Sequence, residues 1–240
     1  MPLIFQQIQQ KVYDLGDRLF DVFRYFPKRC LRLLQHLSTG LKSIRRASKL
    51  KMQKVFFWWV ELLVLFLDLL GLSEFYEGIT AFFKWSTHPL RPGELQLAKS
   101  IYGNTIRWDR VRMDERAWLG PRQFRLCYVS GFIINSWGSM STAIFIHELM
   151  HVWQYQQLGL VYIPRALRAF HSLENYNYGG WLSLKIVQEK GGSLWDFNLE
   201  QQADIVADYY RIRSGERPHW GNANQLQLEV YQYFIDQLTA

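Results

Sequence analysis

The chain has 240 residues, 49% hydrophobic and 16% aromatic, which is enough apolar surface for a core and excludes a disordered chain. Its net charge of +7 is uneven: residues 1–54 hold 12 Lys/Arg against 3 Asp/Glu, and the remainder holds 16 against 18. No nucleic-acid motif accompanies that basic block, which excludes a nucleic-acid-binding protein and leaves anionic lipid or solvent to face it. Cys30 and Cys127 are the only cysteines, too few for a disulfide framework or a thiolate zinc site.

In chain order, Leu3, Ile4, Ile8, Val12, Leu15, Leu19, Val22 and Phe23 recur at spacings of three and four. They predict a helix over 3–37, broken or kinked at Pro27 and closed by Ser38-Thr39-Gly40. No early apolar core precedes a small-residue cleavage site, so no secretory signal peptide is expected. Lys42, Arg45, Arg46, Lys49, Lys51 and Lys54 then form a basic run. Residues 55–72 carry 15 apolar residues in 18, interrupted by Glu61, Asp68 and Gly71. The length suits a short transmembrane helix, whereas two acids seven residues apart suit a helix with one polar edge. Such a helix packs in a core or lies on a membrane surface. Residues 73–85 continue as helix. His88-Pro89-Leu90-Arg91-Pro92-Gly93 punctuates the chain, with His88 read as a loop residue, and sets the expected division into residues 1–92 and 93–240.

Beyond the boundary, residues 94–102 predict a short helix and 105–113 a strand. Two β-rich runs, 124–129 and 132–135, flank Ser130-Gly131 and predict a hairpin. Helices are expected over 165–173, 181–190, 198–212 and 222–238. The fold class is therefore α+β: mostly helical, with a small β-hairpin or sheet wall, after a helical N-terminal extension.

The chemistry concentrates between the hairpin and residue 159. His147-Glu148-Leu149-Met150-His151 places two histidines four apart, on one face of a helix. Chance alone gives roughly 0.007 such motifs in a chain with this His and Glu content. Ser139 and Ser141 are candidate N-caps, Gly159 is a natural stop, and the flanking Ile144, Phe145, Ile146, Val152 and Trp153 suit a buried helix. Two imidazoles so placed can bind Zn2+, with Glu148 as general base. The bland alternative is a core helix with internally hydrogen-bonded histidines. Catalytic zinc takes three protein ligands. Glu200 is the best third, with Asp204 one turn later to hold a histidine ring N–H. Asp204, Asp208, His171 and His219 are rivals for the third position. Tyr176 and Tyr178 precede the Glu200 helix, and either can donate to a developing oxyanion.

His147-Glu148-x-x-His151 followed by Glu200 and Asp204 resembles the gluzincin branch of zinc metallopeptidases. Ile101-Tyr102-Gly103-Asn104-Thr105-Ile106, Val111-Arg112-Met113 and the 200–209 run also resemble bacterial metallopeptidase domains encoded near type VI secretion and other contractile injection systems. The resemblance covers roughly residues 93–210. It implies a zincin-like domain that hydrolyses a peptide bond in a peptide, protein or peptidoglycan substrate. It also implies a secretion-system partner and a location in the bacterial cytoplasm or at the inner membrane. A zinc-binding accessory or structural component of a secretion apparatus, without peptidase activity, is the alternative.

Overall fold

A computed structural model describes residues 2–46, 52–84, 86–118, 120–124 and 126–239. The chain divides into two compact units: residues 1–85 with 158–164, and residues 86–157 with 165–240. Residues 86–92, which the sequence groups with the extension, belong to the second unit because Thr87–Pro89 pairs with the sheet there.

The first unit holds α1 (Pro2–Arg46), α2 (Met52–Leu69), α3 (Leu72–Phe83) and a 3-10 turn over Gly159–Val161. α1 runs unbroken through Gly16, Pro27 and Gly40, which corrects the expected break at Pro27 and stop at 38–40. Pro27 removes one backbone donor, but ion pairs to α2 and α3 hold the helix on both sides of it. Arg18 Nη1 lies 2.9 Å from Glu77 Oε2, Arg29 pairs with Asp68 and Glu74, and Arg32 Nη1 lies 3.3 Å from Asp68 Oδ2. His36 stacks on Trp58 and lies 3.7 Å from Glu61. The two acids of the 55–72 segment thus face α1. Phe56, Trp59, Leu63 and Phe66 are more than half exposed on α2. Among the described residues, no single helix is long and apolar enough to cross a membrane; Lys54–Leu69 and Leu72–Thr80 qualify only as a pair bent by 71°. The basic run at 42–54 falls partly on residues 47–51, outside the described residues.

Gly159 carries a left-handed φ of +71°, and a Cβ there would fall 2.4 Å from Asp68 Oδ2 and 2.3 Å from Arg32 Nη1. Only glycine allows that approach. The predicted helix stop is therefore also the point where the 158–164 segment docks on the Asp68 ion pair.

The second unit contains β1 (Thr87–Pro89), α4 (Pro92–Tyr102), β2 (Arg112–Asp114), α5 (Pro121–Phe124), β3 (Tyr128–Ser130) and β4 (Ile133–Asn135). It continues with α6 (Thr142–Leu158), α7 (Tyr162–Phe170), α8 (Gly180–Glu189), α9 (Leu199–Arg213) and α10 (Leu228–Thr239); α6 and α7 each run into the first unit at one end. The sheet order is β1-β2-β4-β3, with β2 and β4 parallel and the outer pairs antiparallel. The expected hairpin is present as β3 and β4, shortened because Pro121–Phe124 turns helical; Arg125 lies outside the described residues. The 105–113 strand survives only as β2, because hydrogen-bonded turns fill residues 102–110. His88 lies in edge strand β1 rather than a loop. Ile134, Ile146, Leu149, Met150, Leu184, Ile205 and Phe234 are fully buried at the centre, where α10 packs on α8 and α9. The α+β class, mostly helical with a small sheet, is the observed one.

Candidate metal centre

α6 starts where Ser141 Oγ accepts from the Ile144 N–H, as expected of an N-cap. Ile146, Leu149, Met150 and Val152 are wholly buried. Each contributes roughly 1.5–3 kcal/mol, which offsets the cost of burying Glu148, His151 and Gln154 on the same helix. The Tyr102 hydroxyl donates to the Ile146 carbonyl at 2.7 Å, pinning the backbone beside His147. α9 begins with a reciprocal cap: Asn198 Oδ1 accepts from the Gln201 N–H, and Gln201 Oε1 accepts from the Asn198 N–H. Glu200 sits in its first turn.

These two helices bring His147, His151 and Glu200 together. The Nε2 atoms of the histidines lie 3.1 Å apart, and Glu200 Oε2 lies 3.5 Å from His147 Nε2 and 3.3 Å from His151 Nε2. Candidate ligand atoms of all three residues fall within 4.8 Å of one another.

Hydrogen bonds around the cluster set the protonation of the rings. His147 Nδ1 lies 2.8 Å from Asp204 Oδ1, a carboxylate that only accepts, so this nitrogen carries the proton. His151 Nδ1 lies 2.9 Å from Gln154 Oε1. The Gln154 amide nitrogen is committed to the Leu199 carbonyl and to Gln202 Oε1, at 2.9 and 3.0 Å, so Gln154 Oε1 must accept. Gln202 is oriented in turn by its donation to the Phe197 carbonyl. With both rings neutral, His147 and His151 point lone pairs from Nε2 at each other and at Glu200 Oε2. In that state three acceptors converge and repel; a shared cation, whether a proton or a metal ion, removes the repulsion, and an N2O donor set suits zinc.

The charges point the same way. Burial works against a charged His147, but hydrogen bonds to Asp204 and Glu200, and the charge of Glu148, push its pKa up to about 10. His151 also rises: burial lowers it, and the charge and hydrogen bond of Glu200 with the charge of Glu148 together outweigh burial. Burial raises Glu200, but the His151 charge, the hydrogen bonds to both imidazoles and the His147 charge together outweigh it, so its carboxyl falls to about 2. The surroundings hold a positive charge at the centre of the cluster.

Glu148 is buried, and its Oε2 accepts no hydrogen bond from the described residues. Burial raises its pKa, opposed by the two imidazoles, as a base that must take up a proton requires. The Tyr176 ring centre lies 5.8 Å from that of His147. Burial and then the negative charges of Glu200, Glu148 and Asp204 raise its pKa, keeping the hydroxyl a donor. Burial, and next the charge of Glu148, push the Cys127 thiol up to about 11.

Tyr178 stands elsewhere. Its hydroxyl donates to Asp208 Oδ2 at 2.7 Å and meets the Tyr231 hydroxyl at 2.9 Å in the core, so it is not available to an oxyanion. Asp208 also accepts from Arg211 and from the backbone N–H groups of His219 and Trp220. A carboxylate so occupied folds the 214–221 segment rather than binding metal. His171 and His219 are exposed and outside the cluster. Two supporting residues escaped the sequence reading. Gln154 was detectable as the i+3 neighbour of His151 on one helix face. Trp220, whose Nε1–H donates to Asp204 Oδ2, carries no local signal.

No protein-family model matches the chain, and no solved structure matches it. Over 135 residues, half of this chain, it is 31% identical to the type VI secretion system spike protein VgrG2b of Pseudomonas aeruginosa. The matched stretch spans 13% of the length of that curated relative.

Proposed function

We propose that the second unit is a zinc-dependent metallopeptidase of gluzincin type, with His147, His151 and Glu200 holding the metal. The observation that carries this reading is the convergence of two Nε2 lone pairs and Glu200 Oε2 beside a buried, unpaired Glu148 carboxylate oxygen. When bound, zinc supplies Lewis acidity, which lowers the pKa of water towards about 7 and polarises a carbonyl. Glu148 Oε2 takes a proton from the attacking water as the new C–O bond forms. It then delivers that proton to the amide nitrogen as the C–N bond breaks, so the products are a carboxylic acid and an amine. The Tyr176 hydroxyl donates to the carbonyl oxygen as negative charge develops there. Asp204 and Gln154 hold the imidazoles in the required tautomer. The substrate is a peptide bond in a peptide, a protein or a peptidoglycan cross-link.

Glu148→Gln keeps the volume and removes the base. It should retain zinc and lose hydrolysis by roughly 10²–10⁴-fold. Hydrolysis at the wild-type rate would reject the role of Glu148, and a wild type that takes up no zinc would reject the enzyme reading altogether.

Similarity to a type VI spike protein supports a second reading. Here the zinc centre shapes an accessory component of a bacterial secretion apparatus, and hydrolysis is not its task. Under that reading, Glu148→Gln supports secretion as well as the wild type, while His151→Ala, which loses zinc, does not.

A further inference from the structure

The first unit is built inside out. Arg18, Arg29, Asp68 and Glu77 are buried against one another, whereas large apolar side chains face outward on all three helices. On α2 and just beyond it, Phe56, Trp59, Leu63, Phe66 and Leu70 recur at spacings of three and four, all at least half exposed. On α1, Leu19, Phe20 and Phe23 are exposed at 59, 67 and 78%; on α3, Phe75 is exposed at 65%. Water favours the reverse arrangement, and soluble monomers rarely expose apolar patches of this extent.

We infer that the first unit inserts into the surface of an anionic phospholipid bilayer, its outward side chains among the acyl chains and its ion pairs turned away from them. Hydrocarbon tolerates exposed Phe, Leu and Trp, and it makes paired charges the contacts that hold helices together. Charge complementarity selects the anionic lipid. Residues 42–54, which lead into α2, hold six Lys/Arg and no Asp/Glu, and each cation near an anionic surface contributes about 1 kcal/mol. A second copy of the chain would cover one seam, whereas these faces lie on three helices. A surface-lying unit also agrees with the absence, among the described residues, of a single helix able to span. This inference stands independently of the peptidase reading.

The test is flotation of the full chain with phosphatidylcholine vesicles, with and without phosphatidylglycerol. Wild type floats with the anionic vesicles and stays bound when salt is raised afterwards. Trp59→Glu combined with Phe66→Glu, checked for helicity by circular dichroism, lowers the bound fraction at least about tenfold. Should that variant not fold, acyl-chain-brominated lipid gives a second readout: it quenches wild-type tryptophan emission, and Trp59→Phe quenches less. Absence of flotation, release by salt, or a dimer in solution that ignores vesicles would each overturn the inference.

Discussion

The two units bury charge in opposite ways. In the first, the buried carboxylates of Asp68 and Glu77 and the half-buried Glu74 meet guanidinium groups, so charge is neutralised in place. In the second, His147, His151 and Glu200 converge as acceptors, and their donors have already been spent outward on Asp204 and Gln154. The first is balanced by its own side chains; the second offers a donor set that a cation could share. A buried charge by itself therefore says little about function. What separates scaffold from site is whether its partners sum to zero.

Four substitutions test that contrast. Asp68→Ala removes the buried carboxylate that Arg29 and Arg32 share and should cost about 3 kcal/mol in denaturant unfolding, equally with and without zinc. A loss that appeared only with zinc present would blur the distinction between the units. Gln154→Leu removes the acceptor that fixes the His151 tautomer and should weaken zinc roughly 10–100-fold in chelator competition. Unchanged zinc affinity with lowered stability would make Gln154 a packing residue. Gly159→Ala forces a Cβ onto the Asp68 pair at positive φ and should destabilise by about 1–2 kcal/mol, read by thermal unfolding. Little change there would mean that the 158–164 segment yields easily. Trp220→Phe keeps the packing but removes the donor to Asp204. A loss of zinc affinity of up to about tenfold is expected, with stability nearly unchanged. No loss would show that Asp204 needs only its bond to His147.

The sequence alone determined the fold class and the elements that carry the site. Period-3.6 apolar patterns and terminal signals such as Ser141 and Gly159 act through local backbone geometry, so they are visible in a short window. The His147, Glu148 and His151 spacing is local in the same way, and Glu200 with Asp204 stood out as acids one turn apart on the 198–212 helix. The tertiary structure decided what depends on distant partners. Ion pairs from Arg18 and Arg29 carry α1 through Pro27, a position that propensity treats as a break. Asp208 takes the Tyr178 hydroxyl into the core, while Tyr176, two residues away, lies beside His147. Trp220 reaches Asp204 across sixteen residues, and Gln154 acquires its role from the Leu199 carbonyl and Gln202. Period and spacing place a side chain on a face of its own element. Which neighbour fills the other side of that face is set by the packing of segments far apart in the chain, and with it whether a buried polar group braces the fold or forms the site.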